Sequence, residues 1–255
     1  PLFVWACLKR LQEKNVLEID HLIPNGDLDP YGSYDFHLDV DWGQDALLGV
    51  LPYSPINIPS PRLGWMSDSH LDNGWRLDRM KDYNLVFFAQ KKAVDEFNAI
   101  NPFRDHPALW LPHAVEPLAY PRQDNVSKQY DVCFIGHINS QNRIEALDRL
   151  FKEFPNFYYG QRLFEKCAGK YGESKIVFNI SIKDDINMRV FEALGARSFL
   201  LTDRVSNIEE LFEDGKHLVL YDGLDNMVEK AKYYLEHDSE RERIAQAGYE
   251  HAMQH

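Results

Sequence analysis

Residues Phe178–Asp203 read FNISIKDDINMRVFEALGARSFLLTD, and three kinds of segment follow one another in them. An apolar run ends near Ser181, a polar loop carries Lys183, Asp184 and Asp185, a helical pattern spans Asn187–Gly195, and a second apolar run follows at Ser198–Asp203. Strand, loop, helix and strand with short links form the unit of a parallel sheet, whose strands need a crossover between them. In such sheets ligands gather beyond the carboxyl ends of the strands, and the first N–H groups of the next helix suit a diphosphate. Arg189 and Glu192 are three residues apart and share one face of that helix. A guanidinium there can neutralise phosphate charge, while a carboxylate accepts hydrogen bonds from the two hydroxyls of a ribose. The same pair also suits a solvated helix face, where it adds about 0.2–0.5 kcal/mol. Spacing alone leaves both readings open.

Outward from this stretch the alternation continues. Strands are expected at Tyr130–His137, Phe157–Gly160, Ile176–Ser181, Ser198–Asp203 and Leu218–Asp222. Helices are expected at Asn142–Phe154, Gln161–Tyr171, Asn187–Gly195, Asn207–Phe212, Asn226–His237 and Ser239–His255. The strands are continuous apolar runs, as strands covered on both faces are. The first half is less regular. Phe3–Lys14 and Lys91–Asn98 read as helices, and Phe36–Val40, Arg62–Met66 and Asn84–Ala89 as strands. Pro52, Pro55, Pro59 and Pro61 make the stretch before Arg62 a loop. The polar segment Glu116–Lys128, with Pro117 and Pro121, is the expected linker, which gives domains at 1–120 and 121–255. The first has too few strands for a full nucleotide-binding half and is expected to be incomplete or reduced.

Bulk properties narrow the function classes. The 255 residues are 44% hydrophobic, enough for a real core, and the formal charge of −12 argues against binding nucleic acid through clustered cations. No stretch approaches the roughly 20 apolar residues of a membrane span. The start, Pro1–Leu8 followed by Lys9 and Arg10, lacks the cleavage site of a signal peptide, and its first residue is not Met. Cys7, Cys133 and Cys167 are too few and too scattered for a disulfide framework or a metal knuckle, and a cytoplasmic location is expected.

The stretch resembles the carboxylate motif of GT-B glycosyltransferases, in which two acids stand seven residues apart, as Asp184 and Glu192 do here. Resemblance is closer to the CgeB-like glycosyltransferases. Their Asn-x-Arg-x-Phe-Glu-Ala-Leu pattern, with a following strand that ends in Thr-Asp, matches Asn187, Arg189, Phe191–Leu194 and Leu200–Asp203. Glu209–Phe212, Gly215, Tyr221–Asp222 and the RIAQAG run through Gly248 continue the match. The resemblance implies an α/β fold of GT-B type, with two Rossmann-like parallel-sheet domains facing a cleft. It further implies a metal-independent transfer of a sugar from a nucleotide-diphosphate donor to the hydroxyl of a glycan, protein or small-molecule acceptor, with no cofactor. Glu192 would hold the ribose and Arg189 the diphosphate, aided by the N–H groups of Ile186, Asn187 and Met188. Asp184 stands where the family meets the sugar, although Asp replaces the commoner Glu. A non-catalytic sugar-nucleotide binder and a GT-B-fold epimerase remain the alternatives.

Further candidates come from the ends of other strands. Gly136 would let backbone approach the donor phosphates, and Arg143 stands one loop later, equally suited to a solvated helix start. Gly160 and Gln161 are weaker candidates for bordering the base, and His137 can be a plain loop residue. In the first half, Asp68 and His70 resemble the Asp-x-His of CgeB-like proteins, a histidine base oriented by a carboxylate; a capping Asp beside a half-exposed His explains the pair as well. His113 is a candidate for touching the donor sugar or for plain packing. Asp27–Asp29 and Asp39–Asp41 spell the Asp-x-Asp of metal-dependent glycosyltransferases, but turn-forming and surface acids account for them, and no metal is expected. Trp42, Trp65, Trp75 and Trp110 suit a stacked acceptor glycan or, more simply, a core.

Overall fold

The computed structural model describes residues 11–16, 18, 35–41, 61–69, 77–78, 80–102, 105–161 and 165–254. The chain divides into two compact units between His113 and Ala114.

In the first unit the described strands β1 (His37–Asp41), β2 (Arg62–Met66), β3 (Leu85–Phe88) and β4 (Leu109–Trp110) form a parallel sheet in the order β1-β2-β3-β4. Helix α1 (Lys91–Ile100) buries Ala93, Val94 and Phe97. A core of Met66, Met80, Tyr83, Val86, Phe88 and Phe97 closes around this sheet. Trp65 is part of that interior, its indole N–H donating to the Leu111 carbonyl at 2.9 Å. Trp110 likewise donates to the Ala89 carbonyl at 3.1 Å, so both rings serve the fold.

The second unit is the regular one. Its strands are β5 (Tyr130–Ile135), β6 (Phe157–Gly160), β7 (Ser174–Asn179), β8 (Leu200–Asp203) and β9 (Val219–Tyr221). All pair in parallel, in the order β6-β5-β7-β8-β9. Helices α2 (Gln141–Glu153), α3 (Glu165–Gly172), α4 (Met188–Gly195), α5 (Ile208–Leu211), α6 (Gly223–Glu236) and α7 (Asp238–Gln254) connect and cover them. Val132, Phe134, Leu147, Leu150, Ile176 and Phe178 anchor the core and are almost wholly buried. The strand order reverses at β5: the chain steps outward to β6, then crosses back to β7. The carboxyl ends of β5 and β7 therefore flank a topological switch point, where open α/β sheets take ligands.

The expected elements are present in the second unit, most with ends displaced by a residue or two; α6 opens three residues earlier than expected, and α3 is described from Glu165. The displacement at β7 has a local cause. Instead of continuing to Ser181, the strand leaves the ladder after Asn179. The Asp203 carboxylate captures the Ser181 N–H at 3.0 Å and its hydroxyl at 2.6 Å, drawing the chain towards the end of β8.

Gly248 is packed on α7 so closely that an added Cβ would strike the His217 carbonyl and lie 2.7 Å from Leu194 Cδ2. Alanine in a helix normally stabilises by about 1 kcal/mol relative to glycine. Here Gly248→Ala is expected to destabilise instead, by about 1–3 kcal/mol, the usual cost of overpacking. Urea unfolding of the two proteins measures the sign.

Candidate functional site

The site is built at the switch point. Strand β5 ends at Ile135 and runs into Gly136, whose φ of 156° suits glycine. Any Cβ at this position would collide with the Arg189 guanidinium. The guanidinium reaches the spot from α4, which opens at Asn187: the Asn187 side-chain oxygen accepts the Arg189 N–H at 3.2 Å and caps the helix. Arg189 Nε donates to the Ile135 carbonyl at 2.7 Å, and Nη1 donates to Asn179 Oδ1 at 2.5 Å. The side chain thus bridges the ends of the two strands that flank the crevice. Its guanidinium carbon stands 4.5 Å from the centre of the Phe134 ring, a cation–π distance.

A second guanidinium converges on the same ring. Arg143, only 5% exposed, stands 5.8 Å from the Phe134 centroid. It donates to the carbonyls of Ile180 and His137 and to Asn139 Oδ1, tying the loops after β5 and β7 together. Its pKa is pushed down to about 10, first by burial and then by the positive charge of Arg189. It therefore remains a cation at neutral pH. Among the described residues neither Arg143 nor Arg189 has a carboxylate within 4 Å, whereas Arg204 is surrounded by Glu209, Asp214 and Asp222. Asp185 and Asp203 favour the charged form of Arg143 from beyond that distance, and two like charges held together with no carboxylate in direct contact suit an anion.

Glu192 shares the helix with Arg189 but has its own partners. The Tyr120 hydroxyl donates to Oε1 at 2.6 Å, and the Tyr171 hydroxyl donates to Oε2 at 3.4 Å. Burial raises its pKa, against the lowering effects of those hydroxyls and of Arg189. Asp184 adopts a left-handed φ of 57° and turns away from the helix. Its carboxylate accepts the Ser206 N–H at 2.7 Å and the Ser206 hydroxyl at 2.6 Å, stapling the loop after β7 to the loop after β8. Asp185 is buried and accepts the N–H groups of Ile182 and Lys183, which shapes the loop ahead of the helix.

Gly136, Arg143, Asn187 and Arg189 are thus brought together, Glu192 lies further along the same helix, and Asp184 is engaged on the neighbouring loop. His137 is held at 3.3 Å from Gln161 at the ends of β5 and β6. In the first unit Asp68 follows β2, and His113 is buried with its ring edge-to-face with Trp65 at 5.5 Å. His70, Asp27–Asp29, Trp42, Trp75 and Cys7 lie outside the described residues. Asp39 sits on β1 and accepts the Tyr83 hydroxyl. Among the described residues no three His, Cys, Asp or Glu side chains stand close enough to hold a metal, and no helix is long and apolar enough to cross a membrane. Cys133 and Cys167 are unpaired, and burial pushes both thiols up to about 12.

Sequence reading missed Asn179, Thr202 and Asp203 as site partners. It also missed Tyr120 and Tyr171, the donors to Glu192. The only advance signals were an asparagine inside an apolar strand and the polar pair that ends LLTD.

Comparison with known proteins agrees with this geometry. Residues 127–255 match the family described as glycosyl transferase-like. No curated protein matches. Among solved structures, a UDP-forming α,α-trehalose-phosphate synthase from Burkholderia xenovorans superposes with a TM-score of 0.62 at 12% identity, covering 98% of this chain and 74% of that one. Sucrose-phosphate synthase from Thermosynechococcus elongatus gives 0.57 at 11%, covering 87% and 69%. The pneumococcal O-GlcNAc transferase GtfA, in complex with UDP and GlcNAc, gives 0.56 at 10%, covering 76% of this chain and 49% of that one. At these identities the likeness establishes the fold, two parallel-sheet α/β units of GT-B type.

The raised pKa of Glu192 has a signed consequence. A carboxyl that holds its proton more tightly when folded loses stability as pH rises from its unfolded value, about 4.3, through its folded one. Wild-type protein is therefore expected to lose more stability than Glu192→Gln between acid and neutral pH, with the gap levelling off above the folded pKa. Denaturant unfolding across that range measures it.

Proposed function

The chain belongs to the glycosyl transferase-like family, and from that membership we propose that it transfers a sugar from a nucleotide-diphosphate donor to an acceptor hydroxyl, without a metal. One observation carries the reading: two guanidiniums with no carboxylate within 4 Å among the described residues meet at the switch point, beside Gly136 and the opening turn of α4. A diphosphate supplies the missing charge. Asn187 adds a further donor, since its buried Nδ2 has no acceptor among the described residues. Negative charge grows on the diphosphate as the glycosidic bond breaks, so Arg189 and the helix N-terminus act mainly on the chemical step. Two fixed cationic groups and a helix dipole can meet that charge without a divalent ion.

On this reading the ribose hydroxyls donate to Glu192, joining or displacing the tyrosine hydroxyls. Asp184 acts through the loop it staples to Ser206. The acceptor falls to the first unit, with His70 as base and Asp68 orienting it; Asp68 follows β2 at the carboxyl edge of its sheet, where such groups belong. His113 is assigned a contact with the sugar. The Asn187-to-Leu194 pattern favours the CgeB-like branch, and the two buried, reduced cysteines favour a cytoplasmic setting.

Calorimetric titration with uridine, guanosine and adenosine diphosphates tests the seat. Arg189→Ala and Glu192→Ala are each expected to weaken the preferred ligand by about 10- to 100-fold, the value of one charge-assisted hydrogen bond. Wild-type affinity in both variants would refute the assignment. Gly136→Ala, which drives a methyl into the guanidinium, is expected to match the Arg189→Ala loss while leaving the fold intact by circular dichroism. A donor-hydrolysis assay then separates a transferase from a binder, because binding without turnover fits only the latter.

A further inference from the structure

We propose that Asn179 and Thr202 are positioning residues for Arg189: a one-way chain of hydrogen bonds from Asp203 through Thr202 and Asn179 fixes the guanidinium in its seat. The inference rests on the diphosphate seat proposed above and deepens it.

Every link is buried or nearly so. Asn179 and Thr202 are each 1% exposed, and they are register partners on the parallel strands β7 and β8. Asn179 Nδ2 donates to Thr202 Oγ1 at 2.9 Å, and Thr202 Oγ1 donates to Asp203 Oδ1 at 3.2 Å. At the other end Asn179 Oδ1 receives Arg189 Nη1.

The direction of the chain follows from proton counting. Arg189 has no acceptor, so it takes the Asn179 carbonyl and leaves the amide NH2 to face Thr202, whose hydroxyl donates to Asp203. The same hydroxyl accepts from that NH2. Arg189 and the Thr202 hydroxyl together hold the amide in one orientation. Such a constraint has a purpose here. Arg143 repels Arg189 across the Phe134 ring, and the Ile135 carbonyl alone would leave the guanidinium free to swing about Nε. The Tyr221 hydroxyl donates to the Asn179 backbone carbonyl at 3.2 Å and holds the end of the strand from which the amide projects.

The chain predicts a dependence on one buried hydroxyl that is 23 residues from Asn179 in sequence. Thr202→Val keeps the shape and β-branching of the side chain but removes the hydroxyl, so the amide NH2 loses its anchor on β8. Thr202→Ser keeps the hydroxyl and loses a methyl. Titration with inorganic pyrophosphate, well below the unfolding midpoint of each protein, is expected to show Thr202→Val weakened about tenfold, the order of one lost hydrogen bond to a charged group. Thr202→Ser is expected to bind as wild type does, even where its thermal midpoint falls. Thr202→Ala, which also lacks the hydroxyl, makes the same comparison if valine is not accommodated.

Equal weakening in Thr202→Val and Thr202→Ser would point to packing and overturn the chain. Undiminished binding in Thr202→Val, with binding lost in Arg189→Ala, would overturn the chain while leaving the seat. Undiminished binding in Arg189→Ala would overturn both.

Discussion

A positive charge with no carboxylate in contact among the described residues, fixed at the place where a parallel sheet reverses its strand order, governs the second unit. Arg189 bonds to the end of β5 through the Ile135 carbonyl and to the end of β7 through Asn179. Burial of a cation is costly unless every N–H group is satisfied or an anion arrives. The surroundings supply carbonyl and amide oxygens and an aromatic face, but no carboxylate within 4 Å among the described residues. Arg143 meets the same terms beside it, with its charge strained enough by burial and by Arg189 to bring its pKa to about 10. The glycine at Gly136 belongs to the same arrangement, because only a residue without Cβ leaves room for the guanidinium.

The contrast with Arg204 shows what this means. That side chain sits among Glu209, Asp214 and Asp222, which raise its pKa, and it serves to close the loops around β8 and β9. Arg204 has three acids in contact and a structural task; Arg143 and Arg189 have none within 4 Å among the described residues and stand at the switch point. Placement of charge relative to topology, rather than the number of charges, distinguishes the proposed seat from a brace. The net charge of −12 is consistent with a small anionic ligand for the same reason.

Much of the second unit was legible in the sequence. Its strands are buried on both faces and therefore read as unbroken apolar runs, and Asn187, Arg189 and Glu192 are close enough in the chain for their spacing to carry meaning. What remained hidden arrives from a distance. Tyr120 meets Glu192 across 72 residues, and Arg143 meets the Ile180 carbonyl across 37. Arg143 reads equally as a donor-site residue and as a solvated helix start, because no local pattern reveals a carbonyl that β7 delivers from elsewhere. Asp184 is the opposite case, with a local spacing and a distant hydrogen-bond partner. Its seven-residue spacing from Glu192 is that of a sugar contact, yet its left-handed backbone and Ser206 give it a loop to hold. Spacing along a chain predicts which residues share a helix face; it does not predict which neighbour a loop carboxylate finds.

Crystals grown with a saturating nucleoside diphosphate give the most direct view of the central claim. Ordered density for the diphosphate within about 3 Å of the Arg189 guanidinium, at the opening turn of α4, is the predicted result. A diphosphate ordered elsewhere, with Arg189 still bound only to Ile135 and Asn179, would contradict it.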